Sequence, residues 1–147
     1  MTESNIKGEA IRILLVESDS DHFELFIHRL YTNGVANQIH HVSDGEAALN
    51  FLFRREEFAD VEKSPRPHLV LLAMDPPRID ATEVLSAIKA NEELRNIPVV
   101  VLTTLPSTTG ADDNQASGYL IKPVEFVDFR SMMRDLGFSW MVSNQHP

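Results

Sequence analysis

One unbroken apolar run in the middle of the chain, ended by two prolines, constrains the fold more than any other stretch. It covers residues 69–74 (LVLLAM) and is followed by Asp75-Pro76-Pro77. A short apolar run without alternation is typical of a central strand that is covered on both faces of a parallel sheet. In such sheets, ligands and chemistry lie just beyond the carboxyl ends of the strands. We therefore expect any chemistry of this chain near Ala73 to Asp75.

Buried strands and amphipathic helices alternate on both sides of this run. Further strands are predicted at 11–16, 38–42, 97–103 and 118–121. This alternation predicts an α/β domain, a parallel sheet with helices on both faces. The helices are indicated by apolar residues at helical spacing, namely Phe23, Phe26, Ile27 and Leu30, then Ala47, Ala48, Phe51 and Leu52, then Ala81, Val84, Leu85 and Ile88, and last Phe126, Phe129, Met133 and Leu136.

The alternation has one gap, and one further stretch is predicted to be a loop. A fourth helix is due within 104–117, but Leu105 is the only large apolar residue there, and Ser, Thr, Gly, Asp and Asn dominate. Because these residue types favour turns, we expect a loop with at most one helical turn. The charged stretch 56–67, which ends in Pro65-Arg66-Pro67, is also predicted to be an exposed loop.

Length and charge exclude several classes of function. The chain has 147 residues, which fits one domain with a real core. Its net charge of −9 disfavours both nucleic acid and anionic membrane surfaces as partners. It has no cysteine, which excludes disulfides, thiolate zinc sites and thiol nucleophiles. No apolar run resembles a signal peptide or approaches the ~18 residues of a membrane span, so we predict a cytoplasmic protein.

Several spaced motifs together resemble the receiver domain of two-component response regulators. They are Val16-Glu17-Ser18, residues 44–49 (DGEAAL), 69–77, 80–85 (DATEVL), 100–103 (VVLT) and Lys122-Pro123. The chain is similar to the single-domain regulators that partner bacterial and cyanobacterial phytochromes. That subgroup carries a long loop ending in Pro-Arg-Pro, the phrase found here at 97–104 (IPVVVLTT), and an aromatic tail.

The resemblance implies a fold and domain boundaries. It covers residues 11–137 and implies a receiver or pseudo-receiver domain of flavodoxin-like fold. Its five-stranded parallel sheet has the order 2-1-3-4-5, with the fourth helix shortened or absent. Residues 1–10 are then a flexible N-terminus, and residues 138–147 form a C-terminal tail.

The resemblance also implies a site of phosphoryl transfer. In ordinary members, an aspartate that ends the third strand takes a phosphoryl group from a kinase histidine. A hydroxyl after the fourth strand and a lysine after the fifth bind the phosphoryl oxygens. Here Thr103 matches the hydroxyl and Lys122 the lysine, but Ala73 stands where the aspartate belongs. We therefore expect Ala73, Thr103 and Lys122 to form a vestigial phosphorylation site.

The matching metal site is weakened or lost. Two acids after the first strand help ordinary members hold Mg²⁺; Glu17 matches the first, but Ser18 replaces the second. With Asp75 beyond the third strand, we expect weak Mg²⁺ binding at most and no other cofactor. Asp19 and Asp21 near Glu17 are interpreted as charges that favour the N-terminus of a helix.

The histidines and Lys122 give three smaller expectations. The six histidines do not converge on a metal site, because His40 and His41 are consecutive in a strand and point to opposite faces. Lys122 loses its main anionic partner and is expected to pair with Glu17. The resemblance implies a cis bond at Lys122-Pro123.

A methyl side chain cannot accept a phosphoryl group. The leading hypothesis is therefore a degenerate, non-enzymatic receiver that signals through protein–protein contact without conventional aspartyl phosphorylation. Two alternatives stay open. One is phosphorylation at the displaced residue Asp75; the other is small-molecule binding in the vacated acidic pocket or at the patch left by the missing helix.

The expected partners follow from the same resemblance. They are a sensor histidine kinase, such as a phytochrome-like one, or another signalling protein, and a second copy of the chain. Tyr119 matches the aromatic residue that reports activation in the family. Loss of the fourth helix leaves apolar surface that needs cover. We expect a homodimer through the last helix and tail, with Tyr119, Phe126 and Trp140 on the signalling surface.

Overall fold

A five-stranded parallel sheet forms the centre of the molecule. The computed structural model describes residues 11–32, 37–73, 81–104 and 116–138. The strands lie in the order β2-β1-β3-β4-β5, which confirms the predicted 2-1-3-4-5 arrangement. Their bounds are β1 Ile11–Val16, β2 Asn37–Val42, β3 Leu69–Ala73, β4 Val99–Thr103 and β5 Gly118–Ile121.

Four α-helices in the described part of the chain cover this sheet. They are α1 Ser20–Thr32, α2 Gly45–Phe53, α3 Ala81–Lys89 and α4 Phe126–Asp135. Helices α1 and α4 share one face, where the rings of Phe26 and Phe129 meet edge to face with centroids 5.6 Å apart. Helices α2 and α3 contact each other on the opposite face. Every residue of β3 and β4 is buried, as expected of central strands between two helical layers.

The histidines of β2 separate to the two faces as predicted. The ring of His41 stacks on Phe23 of α1, with centroids 4.0 Å apart. The ring of His40 lies 5.3 Å from that of Phe51 in α2. Burial lowers the pKa of His40 below its usual value, and the nearby Arg12 cation lowers it further.

The prediction of an exposed loop over 56–67 is wrong for residues 64–67, which are buried or half-buried. The stretch begins with a short 3₁₀ helix, Glu56–Phe58, and then turns inward. Ser64 is completely buried, and its hydroxyl donates to the Phe58 oxygen at 2.8 Å. The Arg66 guanidinium donates to the Leu52 oxygen at 2.8 Å, so this loop is fastened to α2.

Several sequence predictions fall outside the described residues. These are the flexible N-terminus 1–10, the loop predicted within 104–117 (of which 105–115 are not described), Asp75 and Trp140. Of the tail 138–147, only Phe138 is described; its N–H donates to the Met133 oxygen at 2.8 Å, and its side chain packs on the core. The domain boundaries therefore stay predictions.

Candidate functional site

The carboxyl ends of four neighbouring strands bring the predicted site residues to one edge of the sheet. Glu17 directly follows β1, Ala73 ends β3, Thr103 ends β4, and Lys122 directly follows β5. Parallel pairing aligns these ends, with Ala73 beside Leu102 and Thr103 beside Ile121. All four side chains are buried, with residue exposures from 0% at Ala73 to 7% at Lys122.

A buried ion pair occupies this edge. Lys122 Nζ lies 2.8 Å from Glu17 Oε1, which confirms the pairing expected from the sequence. The second carboxylate oxygen of Glu17 accepts a hydrogen bond from the Asp19 N–H at 3.1 Å. Both oxygens of Glu17 are therefore engaged within the chain.

Backbone hydrogen bonds hold the two ends of the pair in place. The Glu17 N–H donates to the Val42 oxygen at 3.0 Å, and the Lys122 N–H donates to the Thr103 oxygen at 2.8 Å. His41 Nε2 lies 2.8 Å from the backbone carbonyl oxygen of Glu17, to which it donates. The Lys122-Pro123 peptide bond is cis, as the resemblance implied. Residues of β2 and β4 thus fix the positions of the two charged residues.

Asp19 acts as the N-cap of α1. Its Oδ1 accepts from the N–H groups of His22 at 3.1 Å and Asp21 at 2.9 Å. The His22 N–H is the main cause that lowers the pKa of Asp19 below its ordinary value, and the charges of His22 and Lys122 add to it. This geometry agrees with the helix-terminus interpretation of the acidic residues.

The described side chains do not fit a divalent metal. Mg²⁺ prefers near-octahedral oxygen coordination with carboxylate charge. Ser18, which is half-buried, adds only a hydroxyl where a second acid would be needed. No group of three or more His, Asp or Glu side chains able to hold a metal ion occurs among the residues that the structure describes.

A cavity of about 260 Å³ opens next to the ion pair, between α1 and the segment that follows β5. Its walls are mostly apolar, and Ala73, at the site of the vacated acidic pocket, is not among its lining residues. Leu15 of β1 and Leu102 of β4 line the cavity from the sheet, and no sequence signal indicated such a space. The lining residues are Leu15, Glu17, His22, Phe23, Leu25, Phe26, Leu102, Thr104, Lys122, Pro123 and Val124.

The predicted signalling surface is only partly described. Tyr119 and Phe126 are both half-buried, and the Phe126 ring lies 6.3 Å from that of Phe129. Two apolar residues of the same region are more exposed, Ile121 at 50% and Val127 at 56%. Sequence reasoning missed both, because Val127 lies off the apolar stripe of α4 and Ile121 ends a short strand.

The strand order and the helices on both faces define the flavodoxin-like receiver fold. A solved structure, the bacteriophytochrome response regulator AtBRR, superposes with a TM-score of 0.80 at 32% identity, covering 90% of this chain and 96% of that one. The Mn²⁺-bound form of response regulator Rcp1 superposes with a TM-score of 0.67 at 35% identity, covering 89% and 94%. The fold class predicted from the sequence is therefore confirmed.

Two proteins match the chain by sequence over most of their length. The probable methanogenesis regulatory protein FilR2 of Methanothrix harundinacea is 38% identical over 141 residues, 92% of this chain and 86% of FilR2. Response regulator Rcp1 of Synechocystis is 37% identical over 135 residues, 88% of each chain. No protein-family model matches the chain.

These similarities decide the family. The chain belongs to the response regulators of two-component signalling, as a receiver domain, and it resembles the phytochrome-associated regulators among them. No helix in the described part of the chain is long and apolar enough to cross a membrane.

Proposed function

We propose that this receiver domain transmits its signal through protein–protein contact, without conventional aspartyl phosphorylation. The observation that carries the proposal is Ala73 at the end of β3, where the family resemblance expects the phospho-accepting aspartate. Its methyl group has no heteroatom to attack phosphorus, and it is completely buried. The domain is then a signalling module of the cytoplasm and not an enzyme.

The ion pair supports the same proposal. In a receiver that works by phosphorylation, the lysine is needed at the phosphoryl oxygens. Here Lys122 is held by Glu17 at 2.8 Å, and both side chains are nearly inaccessible to solvent. Charges offset each other at this edge without a phosphoryl group or a metal, so Thr103 and Lys122 act as remnants of a site.

Metal binding is proposed to be weak. Rcp1 is known in a Mn²⁺-bound form. In this chain Glu17 supplies the only carboxylate directly after β1, and Lys122 neutralises it. The other positions at which the family resemblance expects metal ligands are those of Ser18 and Asp75. We therefore expect Mg²⁺ to bind far less tightly than to a receiver with three acids.

The partners are proposed from the relatives. AtBRR is a bacteriophytochrome response regulator, and Rcp1 is a response regulator of Synechocystis. We propose that this chain contacts a sensor histidine kinase, such as a phytochrome-like one, and forms a homodimer. Tyr119, Phe126 and Trp140 are proposed for that surface, with the exposed Ile121 and Val127 beside them.

Phosphodonor treatment followed by intact-mass measurement tests the proposal. The protein is incubated with acetyl phosphate and Mg²⁺, and separately with a phosphorylated histidine kinase. We expect no stoichiometric phosphate adduct. An adduct that disappears in Asp75→Asn would establish the alternative, phosphorylation at the displaced residue. An adduct that persists in that variant would also overturn the proposal, because a residue other than Asp75 would then be the acceptor.

Calorimetry tests the metal part separately. Titration of the protein with Mg²⁺ is expected to give no saturable heat below millimolar concentration. Saturable binding in the micromolar range would contradict the proposed loss of the metal site. The matched control is Glu17→Gln, which removes the carboxylate directly after β1 and would abolish any such binding.

A further inference from the structure

We propose that the cavity between α1 and the segment after β5 is a binding site for a small, uncharged aromatic molecule. The cavity has a volume of about 260 Å³ and lies beside the Glu17–Lys122 pair. This site is independent of whether residue 73 could ever accept phosphate.

Size limits the ligand to one ring with a short substituent. An apolar protein cavity of about 150 Å³ is large enough to bind benzene. The cavity described here, at about 260 Å³, leaves room for a ring and a few further atoms. It is smaller than the ~300–1,000 Å³ typical of pockets for drug-sized ligands.

The walls of the cavity are apolar, and ring contacts with residues outside the cavity hold two of the wall side chains in place. Leu15 and Leu102 come from the sheet, and Phe23 and Phe26 come from α1. The Phe23 ring is stacked on His41 at 4.0 Å, and the Phe26 ring meets Phe129 edge to face at 5.6 Å. Rings fixed in this way offer edges and faces to a bound aromatic molecule without further ordering cost.

The opposite wall is tied to α1. Val124 lines the cavity from the segment after β5. The Arg29 guanidinium of α1 donates to the Val124 oxygen and lies 3.7 Å from a Glu125 oxygen. The Arg29 side chain therefore links the two walls of the cavity.

The charged residues that line the cavity favour a neutral ligand. The two buried ions that line the cavity, Glu17 and Lys122, already compensate each other at 2.8 Å. An additional ion in this apolar space would be desolvated without a counter-charge of its own, which is costly. The net charge of −9 further disfavours an anion.

The rim supplies hydrogen bonding for one polar group. His22 and Thr104 line the opening, and both are exposed to solvent. A hydroxyl or indole N–H on the ligand can meet these side chains while the ring lies between the phenylalanines. Phenols and indoles combine the required size, neutrality and single polar group.

Binding is tested with four probes on the full chain. p-Cresol and indole are the neutral probes, and benzoate and benzylamine are charged probes of similar size. Methyl NMR spectra follow Leu15, Leu102 and Val124 during each titration. We expect saturable shifts of these methyl signals with the neutral probes, a rise in melting temperature, and affinity about tenfold weaker for both charged probes.

Two variants and a control locate the site. Leu25→Trp and Thr104→Tyr enlarge side chains that line the opening, and Leu25 is already 40% exposed, so the fold tolerates both changes. Each is expected to weaken neutral-probe binding about tenfold or more. Tyr31→Trp, at a 60% exposed residue of the same helix outside the cavity lining, is the control and leaves binding unchanged.

Three results would overturn the proposal. The first is an absence of methyl shifts with every probe at millimolar concentration. The second is binding that both lining variants leave intact, which would assign it elsewhere. The third is equal affinity for charged and neutral probes, which would refute the argument from the compensated ion pair.

Discussion

Lys122 and Glu17 form an ion pair that crosses the ends of two other strands. Their atoms Nζ and Oε1 are 2.8 Å apart, and β3 and β4 lie between the strands that these residues follow. The side chains are only 5% and 3% exposed. Because Ala73 ends β3, the pair passes the position where the family resemblance expects a carboxylate. A second negative charge there would compete with Glu17 for the same ammonium group.

Removal of one partner of this pair is predicted to be strongly destabilising. Lys122→Met leaves the Glu17 carboxylate buried without its cation, which costs about 3–5 kcal/mol of unfolding free energy. Adding Glu17→Gln restores part of the loss, because the uncompensated charge is gone. Urea denaturation of both single variants and the double variant measures this coupling. Additive losses would show that the pair is not an energetic unit.

The surface pair Arg66–Glu93 provides the control for that measurement. Its atoms are 3.0 Å apart, but Glu93 is 75% exposed. Glu93→Gln is therefore expected to change the free energy of unfolding by less than about 1 kcal/mol. A loss as large as that of Lys122→Met would contradict the role assigned to burial.

Rebuilding the lost acids is predicted to restore phosphorylation. Ala73→Asp supplies the acceptor, and Ser18→Asp supplies metal charge, beside the native Glu17, Thr103 and Lys122. Repulsion among three carboxylates lowers stability without Mg²⁺ and makes the melting temperature depend on it. Phosphate transfer and beryllofluoride binding are expected mainly in the double variant, so the gain is non-additive.

The matched control for this experiment carries amides instead of acids. The double variant Ser18→Asn with Ala73→Asn has similar side-chain volume but no new charge, and it should show neither Mg²⁺ dependence nor phosphorylation. If the acidic double variant folds but stays inert, the backbone beyond β3 no longer has the geometry of a phosphorylation site. The relationship to ordinary receivers would then be one of fold only.

His40 is predicted to make stability depend on pH. Its pKa is lowered in the folded state by burial, with Arg12 as a second cause, from an ordinary value of 6.5. Below that value the unfolded chain binds protons more readily than the folded one, so stability falls as the pH decreases. Urea unfolding at about pH 7.5 and about pH 5.5 should show a smaller difference for His40→Gln than for the unmodified protein. His28→Gln, at an exposed position of α1, should retain the full difference.

The proposed homodimer is testable at two exposed apolar residues. Ile121 and Val127 are 50% and 56% exposed, beside the surface proposed for Tyr119 and Phe126. Ile121→Lys and Val127→Lys place a charge in an interface and are expected to yield monomers in light scattering. Val61→Lys, at a residue that is 54% exposed in a distant loop, should leave the dimer intact. Only monomer for the unmodified protein at tens of micromolar would refute the dimer.

The sequence predicted the sheet because burial leaves a local pattern. Residues 69–73 and 99–102 are apolar without interruption, and both strands are buried on two faces. The pairing of Lys122 with Glu17 followed from the resemblance together with the missing aspartate at position 73. Such contacts were predictable because the ends of parallel strands meet at one edge.

Features that depend on tertiary packing could not be predicted from the sequence. The inward turn of the 56–67 loop depends on Arg66 reaching Leu52, and the charge of this loop alone indicated exposure. The cavity depends on the gap between α1 and the segment after β5, and no residue pattern encodes a gap. Asp75 and Trp140 stay predictions of the sequence.

The long reach of the Glu17–Lys122 contact has a consequence for synthesis on the ribosome. Glu17 leaves the ribosome with the first strand, but its cation follows only after the fifth strand. Such a contact has a high loop-closure cost and forms only when the intervening chain is already organised. A nascent chain that stops before β5 lacks the Lys122 cation that lies 2.8 Å from Glu17 in the fold described here. The compensated burial of Glu17 is therefore tied to the synthesis of β5 and of Lys122 directly after it.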